Sequence, residues 1–148
     1  MKLAKLTIVL FVLAVIVGCD NPAYAGETIK PGSIIKVYDG DTFTINIDGD
    51  CPTILCSKIP VRINGIDAPE LRGKCDQEKS GAIDSRAYLA QLLLNSQEIE
   101  LRNVARDKYF RINAEVFADG INVGADMISK GLARPYSGGK RSGWCDTG

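Results

Sequence analysis

Asp39 and Asp41 flank a glycine in the stretch Tyr38-Asp-Gly-Asp-Thr-Phe43. Further along, Val61-Arg-Ile-Asn-Gly-Ile-Asp-Ala-Pro-Glu70 carries Arg62, Asp67 and Glu70. A third stretch, Arg106-Asp-Lys-Tyr-Phe-Arg111, adds Lys108, Tyr109 and a second arginine, Arg111. The sequence contains no histidine. That removes Ser-His-Asp and Cys-His catalysis and histidine general bases. Any metal site must then be built from oxygen, which suits Ca²⁺, Mg²⁺ or Mn²⁺.

Each group alone has an ordinary explanation. Arg62 and Asp67 could form a surface salt bridge of little worth, and Asp39 and Asp41 could cap a solvated turn. Two features argue for more. If the extended register of Phe43, Ile45 and Ile47 runs backwards, Asp41 and Asp39 fall in an apolar row, where a cation or an arginine must compensate them. Ala68 precedes Pro69 and is held extended, so Asp67 and Glu70 do not stack on a helix; an extended turn can aim both acids and the Ala68 carbonyl at one point. Two arginines, a lysine, a tyrosine and three or four carboxylates suit hydrolysis of a phosphodiester. A hard cation and paired guanidiniums stabilise charge on phosphoryl oxygens while a carboxylate orients or deprotonates water.

The elements that must position these groups read as strand-rich. Strands are expected over 34–38, 42–47, 61–66, 98–104 and 110–117, the last with Phe110, Ile112, Ala114 and Val116 inward. A long hairpin loop spans 48–58. The main helix is expected over 76–95 with Ile83, Ala87, Ala90 and Leu94 on its apolar face, and a short helix over 125–130, closed by Gly131. The Gly- and Ser-rich tail beyond Ala133 reads as irregular. The pattern defines an α+β fold in one domain, 34–148, preceded by a lead-in over 26–33.

Residues 1–25 read as an export signal, with a basic start and a short apolar run. Cleavage falls after Ala25, or after Gly18 with lipidation at Cys19. Either way the domain is expected outside the cytoplasm, touching a membrane only if Cys19 is lipidated. Removing 1–25 leaves sixteen bases and seventeen acids, so bulk charge provides no attraction for polyanions. Of five cysteines, Cys51, Cys56, Cys75 and Cys145 remain. An even number in an exported domain favours disulfides, in any of three connectivities; Cys51 with Cys56 and Cys75 with Cys145 is one of them.

"DGDT", "VRINGIDAPE" and "DKYFR", in that order, resemble the thermonuclease (staphylococcal nuclease-like) family over 34–136. The resemblance implies a five-stranded OB-type barrel with one main and one short helix packed on it. It implies a Ca²⁺-dependent endonuclease that cuts DNA and RNA to 3′-phosphate ends. Asp41 and Asp67 would bind the metal through side chains and Ala68 through its carbonyl, with Asp39 a lesser neighbour. Glu70 would act on the attacking water, and Arg62 and Arg111 on the phosphate. Lys108 and Tyr109 would hold a substrate phosphate, and Tyr136 would stand for the tyrosines that stack on a base. Phe110 departs from the family's glycine at that place. A monomer with no obligate protein partner is expected. The alternative is a catalytically silent OB-type module that binds nucleic acid or protein.

Overall fold

The alternation after Arg111 forms β7 (Ile112–Ala118), with Ile112, Ala114, Val116 and Ala118 buried. In the computed structural model, which describes residues 27–29, 33–50 and 52–145, this strand is central. It pairs antiparallel with β6 (Ile99–Arg106) and parallel with β4 (Ile59–Ile63). β4 pairs with β3 (Thr42–Ile45), and β3 with β2 (Ile34–Val37). β1 (Glu27–Ile29), inside the expected lead-in, adds to the outer edge of β6. The order is β1-β6-β7-β4-β3-β2, with β8 (Ile121–Asn122) also on β7. This mixed sheet curls into a half-barrel of OB type. A separate two-stranded ladder joins β5 (Ile66–Asp67) to β9 (Arg134–Pro135).

The core lies inside the curl. Phe43, Ile45, Val61, Ile99 and Val116 come from the sheet, Leu89 and Leu93 from the long helix, and Met127 from the short one; all are fully buried. Each such side chain contributes about 1.5–3 kcal/mol by leaving water. The fold is therefore the expected strand-rich α+β type, with three helices among the described residues: α1 (Thr53–Cys56) inside the 48–58 loop, α2 (Asp76–Asn95) and α3 (Val123–Ser129). Asn122 caps α3 by accepting from the Ala125 N–H at 2.9 Å.

Two local expectations are corrected. The buried face of α2 is Glu78, Ala82, Ser85, Leu89 and Leu93, not the expected row; Ile83 and Leu94 are 61 % and 58 % exposed, Ala87 is exposed and Ala90 half-buried. Small Ala82 and Ser85 face inward because the helix lies close against its neighbours, and the Ser85 hydroxyl donates to the Leu132 carbonyl at 2.6 Å. Phe110 is not inward: β7 begins only at Ile112, and Phe110 stands in the preceding turn at φ 63°, 76 % exposed.

The signal expected over 1–25, with Cys19, lies outside the described residues. Cys75 and Cys145 form a disulfide across 70 residues. Cys56 is disulfide-bonded as well; Cys51, its expected partner, lies outside the described residues.

Candidate active site

Strand register brings the separate motifs together. Pairing of β3 with β4 sets Thr42 opposite Arg62, and the Ile63 N–H donates to the Asp41 carbonyl at 2.8 Å. Parallel pairing of β4 with β7 sets Arg62 opposite Asn113, so Arg111 arrives at the same end of the sheet. The turn holding Asp39 and Asp41 can come this close only because of its glycine. A Cβ at Gly40 would lie 2.5 Å from that of Ser85 and 2.8 Å from that of Ala68, well inside contact distance. Gly65, at φ +82°, makes the turn that leads β4 into β5.

Asp39 and Asp41 are 7 % and 5 % exposed, so they do not cap a solvated turn. Asp41 accepts from Arg62 Nη2 at 3.2 Å and from the Ala68 N–H at 3.3 Å through Oδ2, and from the Thr42 hydroxyl at 2.8 Å through Oδ1. Asp39 accepts from the Asp41 N–H at 3.1 Å. Burial, and after it the negative charge of Asp41, push the Asp39 carboxyl up to about 6. Arg62 is buried and also donates to the carbonyls of Ile63 and Ile66, at 2.9 and 3.0 Å. Its acid partner is thus Asp41, not Asp67.

Asp67 is 2 % exposed and its two oxygens are in different situations. Oδ2 accepts from Arg134 Nε and Nη2, at 3.1 and 2.8 Å, and from the Trp144 indole at 3.2 Å. Oδ1 is buried and accepts no hydrogen bond; Arg141 Nε stands 3.2 Å away, close enough to pair as an ion but not aligned as a donor. Glu70 is half-exposed and accepts from Arg141 Nη1.

A cleft of about 320 Å³ is lined by Asp39, Asp41, Glu70, Arg111 and Arg141, among others. A second, of about 700 Å³, is lined by Arg62, Asn64, Asp107, Asn113 and Tyr136. The Arg62 guanidinium lies 5.7 Å from the Tyr136 ring centre, and the Tyr136 hydroxyl donates to the Gly139 carbonyl at 2.8 Å. Arg111 is steadied by Asp107, which accepts from its Nε at 2.7 Å. Lys108 and Tyr109 sit on the turn before Arg111, outside both linings; Tyr109 is 65 % exposed, with the Lys108 ammonium 5.1 Å from its ring.

The structure therefore gathers Asp39, Asp41, Glu70 and Arg111 around one cleft, sets Arg62 in the lining of the larger one, buries Asp67, and leaves Lys108 and Tyr109 outside both linings. Sequence reasoning missed Arg134, Arg141 and Trp144, which all converge on Asp67. A signal was present: the tail "RPYSGGKRSGWC" is glycine-rich, yet it carries three arginine or lysine residues after Ala133 besides the only tryptophan. Such a stretch is not compositionally a spacer.

The family model described as "Staphylococcal nuclease homologue" matches residues 60–143. The chain belongs to that family. An "uncharacterized endonuclease" of Haemophilus influenzae is 27 % identical over 103 residues, covering 70 % of this chain and 51 % of the relative. A "probable cytosol aminopeptidase" of Histophilus somni is 32 % identical over 136 residues, covering 82 % of this chain and 27 % of the relative. A "probable endonuclease" of Phaeosphaeria nodorum is 30 % identical over 98 residues, covering 62 % of this chain and 33 % of the relative. The chain thus spans from about a quarter to half the length of these relatives.

Proposed function

We propose that this chain is a metal-dependent endonuclease, working outside the cytoplasm, that hydrolyses DNA and RNA to 3′-phosphate ends. Membership of the family and the endonuclease names of two relatives support nuclease activity. The observation that carries the reading is the cleft whose lining holds both Glu70 and Arg111 together with two buried aspartates, Asp39 and Asp41.

The donor set suits a hard divalent cation. Asp41 and Asp67 are buried acids, and Asp67 Oδ1 is without a hydrogen bond while Oδ2 is anchored by Arg134 and Trp144. One oxygen held and one left over is the arrangement a single-point ligand needs. Asp41, Asp67 and the Ala68 carbonyl would hold Ca²⁺, with Asp39 beside them. When bound, the ion offsets negative charge on the phosphoryl oxygens.

The chain's own residues account for the remaining steps. Glu70 takes a proton from the water whose oxygen attacks phosphorus; the bond from phosphorus to the 5′ oxygen breaks, and that oxygen takes a proton from solvent water and leaves as the 5′-hydroxyl. Arg111 and Arg62 stabilise the extra charge on the pentacoordinate phosphoryl group. Lys108 and Tyr109 hold a neighbouring phosphate at the rim, and Tyr136 offers its ring to a base in the larger cleft.

The test is digestion of single-stranded DNA, duplex DNA and RNA by the purified protein, with Ca²⁺ and with chelator. Cleavage that needs Ca²⁺ and leaves ends sensitive to a 3′-phosphatase is the expected result. Retained nucleic-acid binding without cleavage would instead identify a silent binding module. Cell fractionation, with palmitate labelling of wild type and Cys19→Ser, tests the location and the anchor.

A further inference from the structure

The acids of the cleft already have a cation. Arg141 Nη1 donates to Glu70, Arg141 Nε stands 3.2 Å from Asp67 Oδ1, and the same side chain lines the cleft with Asp39, Asp41 and Arg111. Burial works against the charged guanidinium, but the charges of Asp67 and Asp41 and the bond to Glu70 outweigh it and hold it protonated. The Asp67 oxygen it approaches is the buried one that lacks a hydrogen bond. A nearby charge without an aligned donor is a poor substitute for a ligand at that oxygen.

Arg141 does not reach this place by local chain preference. It stands in a glycine- and serine-rich tail with no regular structure, four residues before Cys145, which is tied to Cys75 ahead of α2. Between the ladder of β5 with β9 and the disulfide, the tail is pinned at both ends. Arg134 Nη1 bonds the tail itself, donating to the Gly143 carbonyl at 2.9 Å. Among the described residues, the only three Cys, Asp or Glu side chains whose ligating atoms lie within 4.8 Å of one another are Cys75, Glu78 and Cys145. Two of these are consumed by the disulfide, so they form no thiolate site. Asp41, Asp67 and Glu70 are not drawn into one such group while arginines stand against them.

We propose that Arg141 is a tethered counter-ion of the site: it holds Asp67 and Glu70 in the metal-free protein, and a divalent cation must displace it to bind. The Cys75–Cys145 disulfide sets its local concentration, so cation affinity depends on the oxidation state of that pair. The proposal rests on the metal-site reading above, but its readout is binding, not cleavage.

The experiment is calorimetric titration of the metal-free full-length protein with Ca²⁺, wild type against Arg141→Gln. Loss of a partly exposed competing charge should tighten Ca²⁺ binding about three- to tenfold. Cys75→Ser with Cys145→Ser should tighten it in the same direction, and adding Arg141→Gln to that pair should change little. Arg141→Gln binding Ca²⁺ equally or more weakly overturns the proposal, as does Ca²⁺ binding to neither protein. The Arg141→Gln comparison decides alone if the serine pair fails to fold. A protein that shows the exchange but never cuts nucleic acid would sink the nuclease reading and leave this one standing.

Discussion

Asp39 and Phe110 each sit at odds with their surroundings. In the folded protein Asp39 holds its proton up to about pH 6, against an ordinary value of 3.8. Its tighter hold on the proton favours the folded state fully below about pH 4 and is lost as pH rises through 6. Asp39→Asn removes that loss. In chelator, urea unfolding should find the variant matching wild type near pH 4 and more stable above pH 6, by about 1–3 kcal/mol; equal stability at every pH would contradict the burial argument. Phe110 occupies the left-handed region, at φ 63°, where a side chain costs about 1–2 kcal/mol. Phe110→Gly relieves this, partly offset by glycine's greater freedom when unfolded. A net gain of up to about 1 kcal/mol in thermal or urea unfolding is expected, and a loss would mean the ring makes a stabilising contact. Residue types at the site were legible because chemistry depends on type. Partners were not: the spacing offered Arg62 a salt bridge to Asp67 only as its ordinary explanation, and strand register gave it Asp41 instead.

Elements were legible to the extent that alternation or helical period marked a buried face. β7 and the length of α2 follow directly from such patterns. The face of α2 did not, because its contact surface is made partly of Ala82 and Ser85, which carry little hydrophobic signal, while Ile83 and Leu94 stay exposed. This has a clear consequence for stability. Leu89→Ala removes a fully buried side chain and should cost about 2–5 kcal/mol, whereas Ile83→Ala should stay within about 0.5 kcal/mol. Reversal of that order would restore the face expected from sequence. The tail beyond Ala133 was read as irregular, which misses β9 at its start, describes the backbone only after Pro135 and hides its role. Its contacts depend on a disulfide spanning 70 residues, a pairing that local patterns cannot report. Closing a loop of that length is worth about 4 kcal/mol in the unfolded-chain model. Reducing or replacing the pair should lower the unfolding free energy by about 2–4 kcal/mol, and an unchanged midpoint would show that the tail is pinned by its arginines alone.

For the molecule as a whole, the curled sheet serves to bring three distant sequence motifs to one end, and the tail closes over them. The strand-rich α+β outline was readable in advance because strands and turns are local properties, whereas the OB type and a shared site for the acids and arginines came from the family resemblance that the three motifs carry. The balance of charge at the cleft was not readable, because it is set by Arg134 and Arg141 acting on Asp67 from more than sixty residues away. The central claim, that Glu70 serves hydrolysis at this cleft, is tested most directly by one rate comparison. Wild type and Glu70→Gln are assayed on the same DNA with saturating Ca²⁺, after circular dichroism shows both folded. A fall of about 10²–10⁴-fold with little change in DNA binding is expected for loss of a general base. Equal cleavage rates would contradict the account.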